Sequence, residues 1–228
     1  MPSALVATDV PRRKPVVSTA AVVRDYIDTH PSIKDGMRMG IINLSALARK
    51  IMDEKGIKSE EAALMACRRY ELDPKSKINE EAILKVLRRS KLEIRTKVVT
   101  MTVRPSWHMY GKLEKVMSAL RGREQSVHII QGTAGVTLIM DGSVQKEVGD
   151  ILGEDEVLKQ ARDLVELIVT SPEVVEDVQG VVAFLSSSLS SKGINFLEVI
   201  SCYKDTMFVI EQKDMMPAFD TLNSIISM

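Results

Sequence analysis

Between Ser18 and Arg89 the apolar residues recur at three- and four-residue spacing, the period of an amphipathic helix. Ser18 stands before Val22, Val23, Tyr26 and Ile27, which share one helical face, and Pro31 closes that helix. A second helix is predicted over residues 33–41, weakened by Gly36 and Gly40. A third covers 44–55, with Leu47, Ala48, Ile51 and Met52 inward and Gly56 at its exit. Ser59 caps a fourth, in which Glu60 and Glu61 meet the positive end of the helix dipole and Ala63, Leu64 and Cys67 form the apolar face. Asn79, Glu80 and Glu81 open a fifth, with Ile83, Leu84, Val86 and Leu87 inside and Arg88-Arg89 at its end.

Near Leu92 the period changes. LEIRTKVVTMTVR is rich in β-branched residues and alternates, as a half-buried strand does. Strands and helices then interchange. Residues 107–120 read as a helix, SVHIIQ and GVTLIM as strands, and SVQKEVGDIL as a helix. A short strand is predicted at 156–160 and a separate strong one at DLVELIVTS. The helix VQGVVAFLSSSLSSKG follows, then strands INFLEVISCY and TMFVIEQ, then a final helix in which Pro217 fits only the first turn. The order strand–helix–strand–strand–helix thus occurs twice, and VTLIMDGSVQKEVGDIL aligns with MFVIEQKDMMPAFDTLNSII. This is an internal repeat of roughly 65 residues. Each copy is a split βαβ pattern, which makes a small antiparallel sheet with helices on one face.

Composition fits a globular chain: 45% of residues are hydrophobic and 27% charged, enough of each for a core and a solvated surface. No apolar run approaches the roughly 20 residues of a membrane span, and the N-terminus lacks the pattern of a secretory signal. Cys67 and Cys202 lie in different expected domains, so a cytoplasmic protein without disulfides is the expectation. The net charge of zero hides an asymmetry. Residues 1–100 carry 20 Lys+Arg against 13 Asp+Glu, and residues 101–228 carry 11 against 18. A basic half followed by an acidic half raises a polyanion partner for the first.

Candidate chemistry is sparse. His30, His108 and His128 are scattered, with no partner at metal-ligand spacing. The sequence holds no Walker A loop, no GxGxxG and no GxSxG, and Gly132-Thr133-Ala134-Gly135 is a short turn. No catalytic residue, metal or cofactor is expected, and the chain is expected not to be an enzyme. A binding site is better supported. Gly180 at a strand-to-helix junction allows close approach to the backbone, and the free amides of the helix start suit a carboxylate. Asn195 offers a donor and an acceptor, and Asp177 could meet an ammonium.

The residues Gln179-Gly180-Val181, then Ser190-Ser191-Lys192-Gly193-Ile194-Asn195-Phe196, then Val199-Ile200-Ser201, resemble an ACT domain, as in the modules fused to aspartokinases. Those modules show Pro-Gly-Val where this chain has Gln179-Gly180-Val181, and their loop before it is shorter. The match covers 163–228; over 93–162 the Gly-Val and Gly-Ile-Asn motifs are missing. The whole arrangement is similar to an archaeal group described as predicted regulators of amino-acid metabolism. The residue pattern gives a flexible tail at 1–17 and a helical domain at 18–92, open between bundle and winged helix; with the resemblance it implies an α+β fold with a degenerate ACT-like unit at 93–162 and an ACT domain at 163–228, both units ferredoxin-like βαββα(β). It implies an effector site at Asp177, Gln179, Gly180, Val181 and Asn195, an amino acid as ligand, and a homodimer.

What the helical half does stays open at this stage. The helix pair 44–55 and 59–71, with Arg68 and Arg69 on the second, Arg88 and Arg89 on the fifth helix, and Arg12, Arg13 and Lys14 in the tail, are candidate nucleic-acid contacts. In a winged-helix reading LEIRTKV and VTMTVR supply the wing. Against DNA, Glu60 and Glu61 occupy the helix start where base contacts usually arise. The alternatives are docking onto a regulated enzyme and an ACT-based dimerisation scaffold.

Overall fold

The computed structural model describes residues 18–70, 79–123 and 127–227, and it divides into two compact units, 1–77 and 78–228. The expected tail at 1–17 lies outside the described residues.

The first unit is helical. Helices α1 (Thr19–Asp28), α2 (Pro31–Arg38), α3 (Leu44–Lys55) and α4 (Glu60–Arg68) follow the apolar periodicity. Their ends follow local chemistry. Ser18 Oγ accepts from the Ala21 amide at 3.2 Å, Asn43 Oδ1 from Ser45 and Ala46 at 3.1 Å, and Ser59 Oγ from Ala62 at 3.1 Å. Gly56 takes the left-handed conformation, φ 67°, that terminates α3. Helix α2 stops at Arg38, short of the expected residue 41, because Met39 and Gly40 turn the chain and Gly40 has φ 70°. Val23, Tyr26, Ile27, Leu47, Ile51 and Cys67 are among the buried core residues.

Polar tethers link these helices. Asp28 accepts from Lys34 and from the Tyr70 hydroxyl, both at 2.6 Å, and the Tyr26 hydroxyl donates to Glu54 at 2.7 Å. The bond from Lys34, then that from Tyr70, holds the Asp28 carboxyl below its ordinary value. A carboxyl depressed in the folded state contributes stability that is present above its unfolded value, about 4, and lost as pH falls through the folded value. The urea midpoint of the helical unit, followed by circular dichroism, is therefore expected to fall less between neutral and acid pH in Asp28→Asn than in the parent. Identical pH dependence in the two proteins would remove Asp28 from the account.

The second unit opens with α5 (Glu80–Leu87), capped by Asn79. Strand β1 (Lys91–Val103), α6 (Met109–Ala119), β2 (Val127–Gln131), β3 (Val136–Asp141) and α7 (Gln145–Leu152) follow. The same order returns as β4 (Val157–Thr170), α8 (Val181–Ser190), β5 (Glu198–Cys202), β6 (Asp205–Glu211) and α9 (Met215–Ile226). The six strands make one antiparallel sheet in the order β2-β3-β1-β4-β6-β5, so the first strand of each repeat meets the other's at the centre.

The two repeats correspond rung by rung. Val98 pairs with Asp141 and Leu164 with Glu211; Val103 pairs with Val136 and Val169 with Thr206. Each central strand carries a bulge, between Arg95 and Val98 in β1 and between Ala161 and Leu164 in β4. Each bulge contains a non-glycine residue in the left-handed region, Lys97 at φ 59° and Asp163 at φ 54°.

Four expectations are corrected here. The boundary falls at 77/78 and not at 92/93, because Ile83 and Leu87 of α5 pack into the core with Val165, Leu167, Leu185 and Leu222. The winged-helix reading fails, because LEIRTKV and VTMTVR form one strand at the centre of the sheet. The segments read as two strands at 156–160 and 163–171 are one strand, β4, and the repeat starts at Val157. Strand β5 starts at Glu198, so Asn195 lies in the loop before it.

Helices α6 and α7 cover Val99, Met101 and Val103 on one side of the sheet, and α5, α8 and α9 cover Val165, Leu167 and Val169. On the opposite face Val98, Ile139, Leu164 and Val209 cluster beside Glu166, which is only 2% exposed. His128 Nε2 lies 3.0 Å from Glu166 Oε1, and Arg95 Nη1 lies 3.5 Å from Oε2. Strands β2 and β4 are three steps apart, roughly 14 Å in a flat sheet. The contact therefore requires the sheet to curl with this face concave.

Candidate functional site

Between the end of β4 and the start of α8 the chain forms a single 3-10 turn, Glu173–Asp177, and then Gly180. Gly180 has φ 93°, ψ 1° and occupies the N-cap position of α8, where it supplies no side-chain cap. A β-branched side chain is strained in that conformation, and an ordinary capping residue would cover the first-turn amides. Helix α8 then starts directly with Val181, Val182 and Ala183.

These residues border a cavity of about 580 Å³. Gly180, Val181, Val182 and Ala183 form one wall and the turn at Val175, Glu176 and Val178 another. Ser201 of β5, Tyr203 of the hairpin turn and Thr206 of β6 complete it. Ser201 and Thr206 are directly paired across the ladder, so two hydroxyl groups share one rung. Tyr203 is held at φ 53° by the tight β5–β6 turn. The lining thus offers helix amides, one carboxylate, three hydroxyls and four valines.

Of the residues expected from sequence, the structure brings Gly180 and Val181 to this cavity. Asp177, Gln179 and Asn195 are exposed and do not line it. The acidic side chain at the cavity is Glu176, because the 3-10 turn carries its neighbour Asp177 away. Gly193, with φ 75°, ends α8: its amide bonds to the Ser190 carbonyl at 2.9 Å, and Ile194 drops into the core. The Gly-Ile-Asn segment therefore acts as a helix stop, and Asn195 follows it into solvent. Glu176, Tyr203 and Thr206 carry no sequence motif, and Ser201 enters only through the family resemblance. The only signal for them was the hairpin Ser201–Thr206 facing the glycine junction, which becomes visible once strand register is known.

The candidate nucleic-acid residues do not form one cluster in a single unit. Arg68 and Arg69 are exposed at the end of α4 in the first unit, where Arg69 Nε donates to the Met65 carbonyl at 3.2 Å. Arg88 and Arg89 are exposed after α5 in the second. Arg12, Arg13 and Lys14 lie outside the described residues. At the start of α4, Glu60 pairs with Arg49 of α3 at 3.2 Å, so an acidic group stands where a recognition helix presents its first turn. Among the described residues no helix is long and apolar enough to cross a membrane. Cys67 is buried and Cys202 exposed, both as free thiols.

No protein-family model matches the chain, and no curated protein does. Among solved structures, it is similar to aspartokinase alpha and beta subunits at 18% identity, over 60% of this chain and 97% of that one, with a TM-score of 0.49. It is similar to the ligand-free regulatory subunit of aspartate kinase from Thermus thermophilus at 15% identity, over 60% and 97%, with a TM-score of 0.48. A putative C-terminal regulatory domain of aspartate kinase from Porphyromonas gingivalis matches at 12% identity, over 60% and 96%, with a TM-score of 0.45.

Proposed function

We propose that this chain is a non-enzymatic regulator that binds a free amino acid in the cavity between β4, α8 and the β5–β6 hairpin. The observation that carries the reading is Gly180: a left-handed glycine leaves the start of α8 uncapped, at the wall of a cavity of about 580 Å³. Uncapped amides at the positive end of a helix dipole suit a carboxylate. Glu176 supplies the opposite charge for an α-ammonium. Ser201, Tyr203 and Thr206 offer hydrogen bonds to a side chain, and the valines offer apolar contact. The volume falls in the range of small-molecule sites, roughly 300–1,000 Å³. The lining has acceptors and donors for a zwitterion.

The regulatory output follows from position. The bound amino acid would tie the β4–α8 junction to the β5–β6 hairpin, and β4 runs on through the centre of the sheet to the other repeat. Coupling of this type is typically about 1–3 kcal/mol. The output partner within this proposal is a regulated enzyme or a nucleic acid.

Gly180→Val tests the site. The left-handed conformation costs an L side chain about 1–2 kcal/mol, and the added methyl groups enter the cavity wall. Calorimetric titration should show the amino-acid affinity reduced at least about tenfold, roughly 1.4 kcal/mol. Glu176→Gln, at an exposed position that leaves the backbone unstrained, should weaken binding in the same direction. Unchanged affinity in both folded variants would reject this site.

A further inference from the structure

The first repeat has a cavity of its own. Pro105, Ser106 and Trp107 between β1 and α6, Tyr110 and Leu113 on α6, and Gln131 of β2 enclose about 330 Å³. Strand register shows that it stands where the β4–α8 cavity stands. Gln131 pairs with Val136 as Ser201 pairs with Thr206, and Val136 pairs with Val103 as Thr206 pairs with Val169. Val136 lines the one cavity and Thr206 the other. The chemistry differs at every corresponding place. His108, with φ −70°, precedes α6 where Gly180 precedes α8, so the open glycine junction is missing. Among the described lining residues no carboxylate replaces Glu176.

What the first cavity has instead is aromatic surface. Trp107, the single tryptophan of the chain, is 79% exposed, and Tyr110 is 60% exposed. Large aromatic side chains so open beside an apolar cleft are ready to cover a ligand. The Tyr110 hydroxyl is fixed by Gln131, which donates to it from Nε2 at 2.9 Å. Ser106 Oγ is buried and has no hydrogen-bond partner among the described residues. A buried hydroxyl without a partner costs about 1–3 kcal/mol, which a ligand group placed against it would recover.

We propose that this cleft is a second ligand site, for a small uncharged aromatic compound that carries one hydrogen-bonding group. Its ring lies against Trp107 and Tyr110, above Leu113 and Val136, and its polar group meets Ser106 Oγ once that hydroxyl rotates into the cleft. The absence of any charged side chain among the described lining residues selects against a zwitterion. The proposal does not depend on an amino acid binding beside Gly180.

Benzamide serves as the probe, with cyclohexanecarboxamide as its non-aromatic counterpart, on the full chain. Trp107 is the reporter, since its fluorescence is the only indole signal of the protein. Benzamide should change that emission saturably and bind more tightly than cyclohexanecarboxamide. Ser106→Ala should weaken it about threefold to tenfold, the loss of one hydrogen bond. Tyr110→Ala, read by saturation-transfer NMR as well as by fluorescence, should weaken it further. Both side chains lie at the cleft rim or its loop, and circular dichroism should show the fold retained. A non-saturating change, or saturable binding that neither variant weakens, would overturn the assignment. Loss of benzamide binding in Gly180→Val would place the probe in the other cavity, which overturns this inference and leaves the amino-acid site standing. Loss of amino-acid binding in Gly180→Val with benzamide binding intact supports two separate sites.

Discussion

Phe208→Ala is expected to destabilise the sheet unit by about 3–5 kcal/mol, the cost of removing a large ring from a packed core. Phe208 is fully buried on β6, paired in register with Leu167 of β4 and Val199 of β5. Its ring lies 5.3 Å from that of Phe196, centre to centre, and the same cluster holds Leu185, Leu189, Leu222 and Ile83. Three helices, α5, α8 and α9, border the same core, and only the loop carrying Phe196 could move to narrow the void. In a unit of this size each kcal/mol is worth about 2–4 °C, so a fall of roughly 10 °C in the melting temperature should follow. Phe208→Leu should cost much less, because it keeps most of the volume. A loss below about 1 kcal/mol in the alanine variant would mean that this core is not packed as described.

His128→Leu should cost about 1–3 kcal/mol, the cost of leaving a buried polar group without its polar neighbour, since His128 Nε2 stands 3.0 Å from Glu166 Oε1. Its neighbour Glu166, 2% exposed, would keep Arg95 at 3.5 Å. The double variant His128→Leu with Glu166→Leu should recover most of that loss, since apolar groups of similar volume suit the neighbouring Val98, Ile139, Leu164 and Val209. Denaturant titration of the two single variants and the double gives the coupling directly. Additive losses would show that the two side chains do not interact, and with that the argument for a curled sheet would fall.

Helix ends were the most legible part of this chain. Ser18, Asn43, Ser59 and Asn79 accept backbone hydrogen bonds, and a serine or asparagine before an apolar period is a local signal that needs no tertiary knowledge. Asn43 stands before its helix in the same pattern. The change of period near Leu92 was equally local, and β1 begins at Lys91. Strand β4 was not legible as one element, because its middle, Lys159-Gln160-Ala161-Arg162-Asp163, is polar and passes through a bulge that breaks alternation. The allegiance of α5 was hidden for another reason: an apolar face shows that a helix packs, and says nothing of what it packs against.

The proposed binding site is half legible in the sequence. Gly180 announced itself, since a glycine between a strong strand and a helix has few structural alternatives. Glu176 did not, because a 3-10 turn decides which of two adjacent carboxylates reaches the cavity. Gly193 and Asn195 misled, because the same glycine that can open a site also ends a helix. The aromatic cleft of the first repeat was invisible for want of any motif: its likeness to the other cavity lies in strand register and not in residue identity.

The most direct test of the amino-acid site is a thermal-shift screen of the intact chain against the twenty amino acids, with calorimetry on every hit. A ligand specific for the folded state, at a hundred times its dissociation constant, adds about 2.7 kcal/mol. The account predicts a clear upward shift for one or a few amino acids, absent in Gly180→Val. No shift with any of the twenty would contradict it.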